Sequence, residues 1–288
     1  MESSRQLLID TIATTLAAAG VESAAWDARQ LIAYALGGNT APSAADLARL
    51  AALVEQRAQR VPLQLLLGDT GFRLITVACT PGVFIPRPET EMLVELVLAE
   101  AATLVAPRII EPCTGTGAIA ASLVAELDAV TVYATDISQD AVVLARRNIA
   151  QVMAGKAGVA RPLDTVTAQV LHGSLCEPVD RSWQASTDVI VCNPPYLPQA
   201  VHSELPPEVH LHDPYEALVG GVDGHEIVGA VFNAAAEWLR PGGLVAVEID
   251  VTRSDDACAR AHAAGLLAIE TQPDLTGARR FVTARRAM

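Results

Sequence analysis

Aromatic side chains are scarce: Phe, Trp and Tyr make up 4% of the 288 residues. A core must therefore be filled mainly by Ala, Leu and Val, and with 51% apolar residues the chain has enough of them for a large domain with an appendage. Positive charge is also in deficit. Twenty Lys and Arg against 33 Asp and Glu leave a formal net charge of -13, which argues against a chain whose main affinity is for bulk nucleic acid. The five cysteines are scattered and contain no C-x-x-C pair, a usage that fits reduced thiols better than a disulfide frame or a zinc site. No apolar run approaches the length of a membrane span, and the opening "MESSRQLLID" lacks the basic-then-apolar order of a signal peptide. A cytoplasmic protein is expected.

What is present falls into three parts. Residues 1–66 carry apolar positions at helical spacing, with glycine stops at Gly20 and at Gly37-Gly38 and candidate N-caps at Ser23 and Ser43. They predict a small helical bundle, either a structural appendage or a recognition module for a macromolecular substrate. Residues 67–88 carry two short β-type runs broken by "TPG", which predicts a linking β-hairpin. Residues 89–288 begin with the helix start "PETE" and then alternate strand and helix from about residue 108. That alternation predicts an α/β domain around a mostly parallel sheet, with the last two strands antiparallel because no helix separates them.

Chemistry concentrates at two junctions of the third part. After its first strand the chain reads "EPCTGTGAIA", where Gly115 and Gly117 let the backbone turn sharply and approach a ligand. The next strand ends in Asp136, a carboxylate placed to accept the two hydroxyls of a ribose or, more plainly, to start the following helix. Together they suggest a nucleoside cofactor. A nicotinamide or flavin nucleotide stays open here, because Ala120 at the third glycine position of G-x-G-x-x-G is allowed.

The second junction is "VCNPPY", residues 191–196, where an apolar strand runs into Asn193, two prolines and Tyr196. Neither proline can serve a ladder, so the strand must end there. An amide or aromatic-amine nitrogen is a weak nucleophile, because its lone pair is delocalised. A site that methylates one has to accept its N–H hydrogens and aim the lone pair at a methyl donor. The Asn193 oxygen and the Pro194 carbonyl are the two acceptors, Pro195 restricts the direction of the second, and Tyr196 offers a flat face. The His210 and His212 pair near Glu208 and Asp213 lacks further ligands at metal-site spacing, and no metal is expected. Arg87 is open between pairing with the "ETE" carboxylates, residues 89–91, and lining a cofactor entrance.

N-P-P-Y after one strand and a glycine loop after another resemble the amino-methyltransferases that use S-adenosylmethionine. Within these the chain is similar to the protein-glutamine methyltransferases of peptide chain release factors, the HemK/PrmC group. The resemblance rests on "RVPLQLLLG", "GVFIPRPETE", "TGTGAIA", "DISQDAVVLARRN", "CNPPYLP", "DPYEALVGGVDG", "LRPGGLVAVE" and "DLTGARRFVTAR", in family order over nearly the whole chain. It implies a Rossmann-like seven-stranded sheet and S-adenosylmethionine held by Cys113, Thr114, Gly115, Thr116 and Gly117, by Asp136, and by Leu175 and Asn193. It implies a glutamine acceptor, in a Gly-Gly-Gln tip, held by Asn193, Pro194, Pro195 and Tyr196. It also implies that the helical part helps grip the release factor; a monomer with no stable nucleic-acid partner is expected. The chain departs from the family at Glu111, where Asp is usual, at Cys113, where Gly is usual, at Leu175, often aromatic, and at "IDVTRSDD" after Glu248. The alternatives are an amino-methyltransferase for another protein or a nucleic-acid base, and a non-enzymatic binding partner that keeps the fold.

Overall fold

The protein is described by a computed structural model, which covers residues 2–37, 39, 41–155 and 165–288. Gly38, one of the two expected helix-stopping glycines, lies outside the described residues. The chain forms two units. The first comprises residues 1–69 together with 206–212, and the second comprises 70–205 and 213–288.

In the first unit, helices α1 (Glu2–Ala18), α2 (Ala24–Leu36) and α3 (Ala44–Ala58) are followed by the short α4 (Leu63–Leu67). Ser43 caps α3 through a capping box with Asp46. Ser23 precedes α2 but makes no cap bond, and its hydroxyl donates to Asp27 instead. Leu16, Ala28, Leu31 and Ile32 fill the centre of the bundle. The segment 206–212 joins this unit through Glu208, which takes 3.0 Å and 2.6 Å bonds from Arg57 and Arg60.

The second unit opens with the hairpin β1 (Asp69–Phe72) and β2 (Ile75–Ala78). Its turn falls at Arg73 and Leu74 rather than at the expected "TPG". Arg73 adopts φ 50°, and its guanidinium is tied to Glu126 and Glu95. "TPG" instead ends the hairpin and begins an irregular path to residue 88. After α5 (Glu91–Ala101) come β3 (Arg108–Pro112), α6 (Ala118–Glu126), β4 (Val130–Asp136), α7 (Gln139–Met153), β5 (Val166–His172), β6 (Thr187–Cys192), a helix at Glu226–Trp238, β7 (Leu239–Glu248), a helix at Ser254–Ala263, β8 (Leu267–Pro273) and β9 (Arg279–Arg285).

The seven-stranded sheet has the order β5-β4-β3-β6-β7-β9-β8, parallel except for β9, which runs against both its neighbours. Both faces are covered, which is why the central strands read as unbroken apolar runs. Ile109, Val189, Val191 and Ala246 face one core, while Ile110, Ile190, Cys192 and Val245 face the other. The five cysteines are free thiols, and among the described residues no helix is long and apolar enough to cross a membrane.

The strand order reverses between β3 and β6, which pair directly through Ile109 with Val189 and Ile110 with Ile190. Such a switch point opens a crevice beyond the carboxyl ends of the two strands. The glycine loop after β3 and the N-P-P-Y corner after β6 therefore meet.

Candidate active site

The crevice is a cleft of about 700 Å³. Of the residues expected to form a site, Cys113, Thr114, Gly115, Thr116, Asp136, Leu175, Asn193 and Pro195 line it. Gly117, Pro194 and Tyr196 are not among its lining residues.

The glycine loop is shaped by backbone needs. Gly117 has φ 77°, and a Cβ there would sit 2.9 Å from that of Ala145 on α7, so only glycine lets the loop pack on that helix. Cys113 has φ 56°, the left-handed conformation that glycine adopts more cheaply, which accounts physically for glycine being usual there. Asn148 of α7 donates to the carbonyls of Thr116 and Ala78, at 2.9 Å and 3.1 Å, and so fastens the loop to the end of the hairpin. The buried Glu111 carboxyl accepts the N–H of Ala120 in the first turn of α6, at 2.9 Å. Burial pushes it well above the usual carboxyl range.

Asp136 at the end of β4 is held by backbone N–H groups on both carboxylate oxygens. Oδ2 accepts from the Gly115 N–H and Oδ1 from the Ser138 N–H, both at 2.9 Å. A carboxylate offers about four lone-pair sites, so acceptor capacity remains for a diol beside these bonds and the weaker Ile137 contact. Burial raises the Asp136 carboxyl somewhat, against the lowering effect of these bonds. Leu175 follows β5 with φ 46°, and its carbonyl accepts the Thr135 hydroxyl at 2.5 Å. Phe84 and Ile137 also line the cleft, although neither stood out in the sequence.

The corner is braced from a distant part of the chain. The Leu197 N–H bonds the Leu218 carbonyl at 2.9 Å, and the Gly220 N–H bonds the Leu197 carbonyl at 3.0 Å. A Cβ at Gly220 would collide with the Pro195 carbonyl oxygen, and one at Gly224 with that of Tyr196. The glycines of "VGGVDG" thus let one loop lie flat against another. Arg87 pairs with the buried Asp213 and stacks 5.0 Å from the Phe84 ring centroid, rather than with residues 89–91. With Glu208 and Asp213 held by arginines, the carboxylates beside His210 and His212 are committed elsewhere.

Two residues with no functional signal in the sequence complete the corner. Asn193 Nδ2 donates to the Thr90 hydroxyl at 3.1 Å, and that hydroxyl donates to Glu248 Oε2 at 2.8 Å. The Tyr196 hydroxyl donates to Glu248 Oε1 at 3.2 Å. Thr90 had read as part of a helix start, and Glu248 only as the residue before "IDVTRSDD". Burial lifts the Glu248 carboxyl from its usual 4.5 to about 7, and the bonds from Thr90 and Tyr196 only partly counter it.

That shift has a consequence for stability. The native carboxyl keeps its proton to higher pH than the unfolded one, so stability falls as pH rises from about 4.5 through about 7. At 1.36 kcal/mol per unit the full cost is about 3 kcal/mol. Glu248→Gln has no such cost. Its stability relative to the parent is expected to improve by up to about 3 kcal/mol between about pH 5 and pH 8. Urea unfolding at both values measures this, and a constant difference would rule out titration of Glu248 in that range.

Solved structures show the same architecture. A methyltransferase from Pyrococcus furiosus is 18% identical, with a TM-score of 0.50 over 74% of this chain and 90% of that one. The hMettl16 catalytic domain, solved in complex with MAT2A 3'UTR hairpin 1, is 13% identical, with a TM-score of 0.55 over 85% of this chain and 82% of that one. The methyltransferase small domain family matches residues 75–205, and the PrmC N-terminal domain family matches residues 8–68. The fold and the cleft thus define a Rossmann-like methyltransferase.

Relatives named release factor glutamine methyltransferase are similar over nearly their full length. The Mycobacterium tuberculosis protein is 40% identical over 96% of this chain and 90% of its own length. That of Deinococcus radiodurans is 37% identical over 98% of both, and that of Streptomyces coelicolor 36% over 95% of both. The chain belongs to the release factor glutamine methyltransferase family.

Proposed function

We propose that the protein transfers a methyl group from S-adenosylmethionine to the side-chain amide nitrogen of a glutamine in the Gly-Gly-Gln tip of a peptide chain release factor. The observation that carries this reading is the orientation of Asn193. Its Nδ2 is given to Thr90, so Oδ1 is the atom left to accept an N–H from a planar amide in the cleft.

The donor set fits the cofactor. A glycine cradle, a carboxylate with acceptor capacity to spare and an apolar wall at Phe84, Ile137 and Leu175 suit a loop-held nucleoside with a ribose diol. Residues 113–117, Asp136, Leu175 and Asn193 would hold it. When bound, it supplies a methyl group made electrophilic by a positively charged sulfur.

The protein's own part is orientation. Asn193 Oδ1 accepts one amide hydrogen, and the Pro194 main-chain carbonyl accepts the other although Pro194 is not itself part of the cleft lining, which turns the nitrogen lone pair toward the methyl. Pro195, held by the loop at Gly220, keeps that carbonyl in place. Glu248 is spent on Thr90 and Tyr196 and is not the base; the methylated nitrogen sheds its proton readily to solvent. The barrier falls through positioning and fixed dipoles. The helical unit, matched by the family's N-terminal domain, grips the release factor, and the protein works as a cytoplasmic monomer.

The test is methyl transfer from labelled cofactor to a release factor, to the same factor with the Gly-Gly-Gln glutamine replaced by alanine, and to nucleic acid. Label is expected on the unaltered factor alone. Label on nucleic acid, or on the alanine variant equally, would overturn the reading. Asp136→Ala is expected to weaken cofactor binding by about 1–3 kcal/mol through lost charge-assisted bonds, read by calorimetric titration. Unchanged affinity would leave Asp136 as a carboxylate that only braces Gly115 and starts α7.

A further inference from the structure

We infer that Glu248 and Thr90 are positioning residues that set which end of the Asn193 side-chain amide faces the cleft. The inference rests on the reading of Asn193 as the acceptor holder and adds what controls it. The two ends of an amide are nearly equal in size, so sterics alone choose poorly between them. Hydrogen-bond roles choose sharply. A threonine hydroxyl has one proton. While Glu248 is ionised it can only accept, and Thr90 must give that proton to Oε2 at 2.8 Å. Thr90 can then only accept from Asn193, so Nδ2 must point at it and Oδ1 at the cleft. A protonated Glu248 can donate to Thr90 instead. The Thr90 proton is then free to turn to Asn193 Oδ1, and a flipped amide would meet the substrate amide N–H with its own N–H.

Glu248 is 2% exposed and Thr90, at the cleft wall, 4%, so little water competes for their hydrogen bonds. The charged and titratable groups facing Glu248 are few. Tyr196 of the corner donates to it, Arg280 of β9 favours loss of its proton while itself bound to Asp274, and Glu89 beside Thr90 adds negative charge, while Asp250 beyond β7 acts on the neighbouring Tyr196. The carboxyl therefore titrates where an enzyme works, at about 7, and the amide orientation titrates with it.

The experiment is the pH dependence of kcat, at saturating cofactor and release factor, for the parent, Glu248→Gln, Thr90→Val and Thr90→Ser. The parent is expected to lose about tenfold per pH unit on the acid side of a midpoint near 7. Thr90→Ser keeps a hydroxyl and should keep that limb. Thr90→Val retains Glu248 but breaks the path, so its kcat should be at least about tenfold lower and flat over the same range. Glu248→Gln should also be flat. Cofactor affinity should change less than about threefold in all of them. The side-chain amide resonance of Asn193, identified by its loss in Asn193→Ala, should shift with the same midpoint in the parent and stay fixed in Thr90→Val. A limb that survives in Thr90→Val, or an Asn193 resonance blind to pH in the parent, overturns the inference, and should Glu248→Gln fail to fold the threonine pair decides alone. Failure of the underlying reading looks different: Asn193→Ala would then turn over normally.

Discussion

Replacing Asn193 with alanine should lower kcat on a release factor by about 100- to 1,000-fold, the usual cost of removing one positioned group that acts in the transition state. Cofactor affinity should fall by much less. The glycine loop, Asp136 and Leu175, proposed to hold the cofactor, line the β3, β4 and β5 side of the cleft and are untouched by the substitution. The thermal midpoint should move by only a few degrees, because Asn193 is half-buried at a strand end and its one side-chain bond is to Thr90. The three quantities measured on one preparation separate the explanations. A large loss of kcat with the other two preserved assigns Asn193 to the reacting amide. Parallel losses in all three would mean that the corner had collapsed. Near-normal turnover would reduce "VCNPPY" to a proline-stiffened loop.

Asn193→Asp sharpens the result. It preserves shape but replaces the Nδ2 donor with an acceptor, so the Thr90 proton is contested by two carboxylates. Substantial activity in Asn193→Asp would show that an acceptor oxygen suffices. Activity as low as in alanine would show that the Thr90 contact matters as well.

The sheet was readable in the sequence because its determinants are local. Strands buried on both faces read as apolar runs, helices begin at caps such as Ser43 and Ser138, and the absence of a helix between residues 267 and 285 predicts an antiparallel pair. The cleft was readable for the same reason: Gly115, Gly117 and residues 193–196 sit at strand ends, where position in the alternation reveals position in space. The hairpin turn was misplaced because "TPG" has the stronger turn chemistry, whereas the turn actually used, at Arg73, is stabilised by Glu126 and Glu95, far along the chain. Thr90 and Glu248 were missed on the same ground. They are 158 positions apart, and each has a sufficient local explanation. Residues 206–212 carry no periodicity that would attach them to the helical bundle. Their attachment is an ion-pair contact with Arg57, 151 positions away.

That contact makes Arg57→Ala the substitution expected to cost the most stability. Arg57 is 5% exposed and Asp27 2%, and its Nε donates to Asp27 Oδ2 at 2.7 Å. Nη2 reaches Glu208 at 3.0 Å and Nη1 the Val61 carbonyl at 3.3 Å, so one guanidinium ties α2, the end of α3 and residues 206–212 together. Removing it leaves the buried Asp27 carboxylate with the Ser23 hydroxyl as its remaining side-chain partner among the described residues. An uncompensated buried charge of this kind costs about 3–5 kcal/mol. Glu208 is less exposed to the loss, because Arg60 still holds it through Nε and Nη2. Arg60→Ala should therefore be milder, about 1 kcal/mol, since Arg60 is partly solvated and Arg57 remains. Two units need not unfold together, so the measurement is hydrogen exchange, with the amides of α2 and α3 read apart from those of β3 and β6. Loss of protection confined to the helices is the expected result. The double substitution Asp27→Leu with Arg57→Met should restore most of it, because both charges are then gone and apolar volume replaces them. If Arg57→Ala alone leaves exchange in α2 unchanged, the buried pair contributes nothing to holding the bundle.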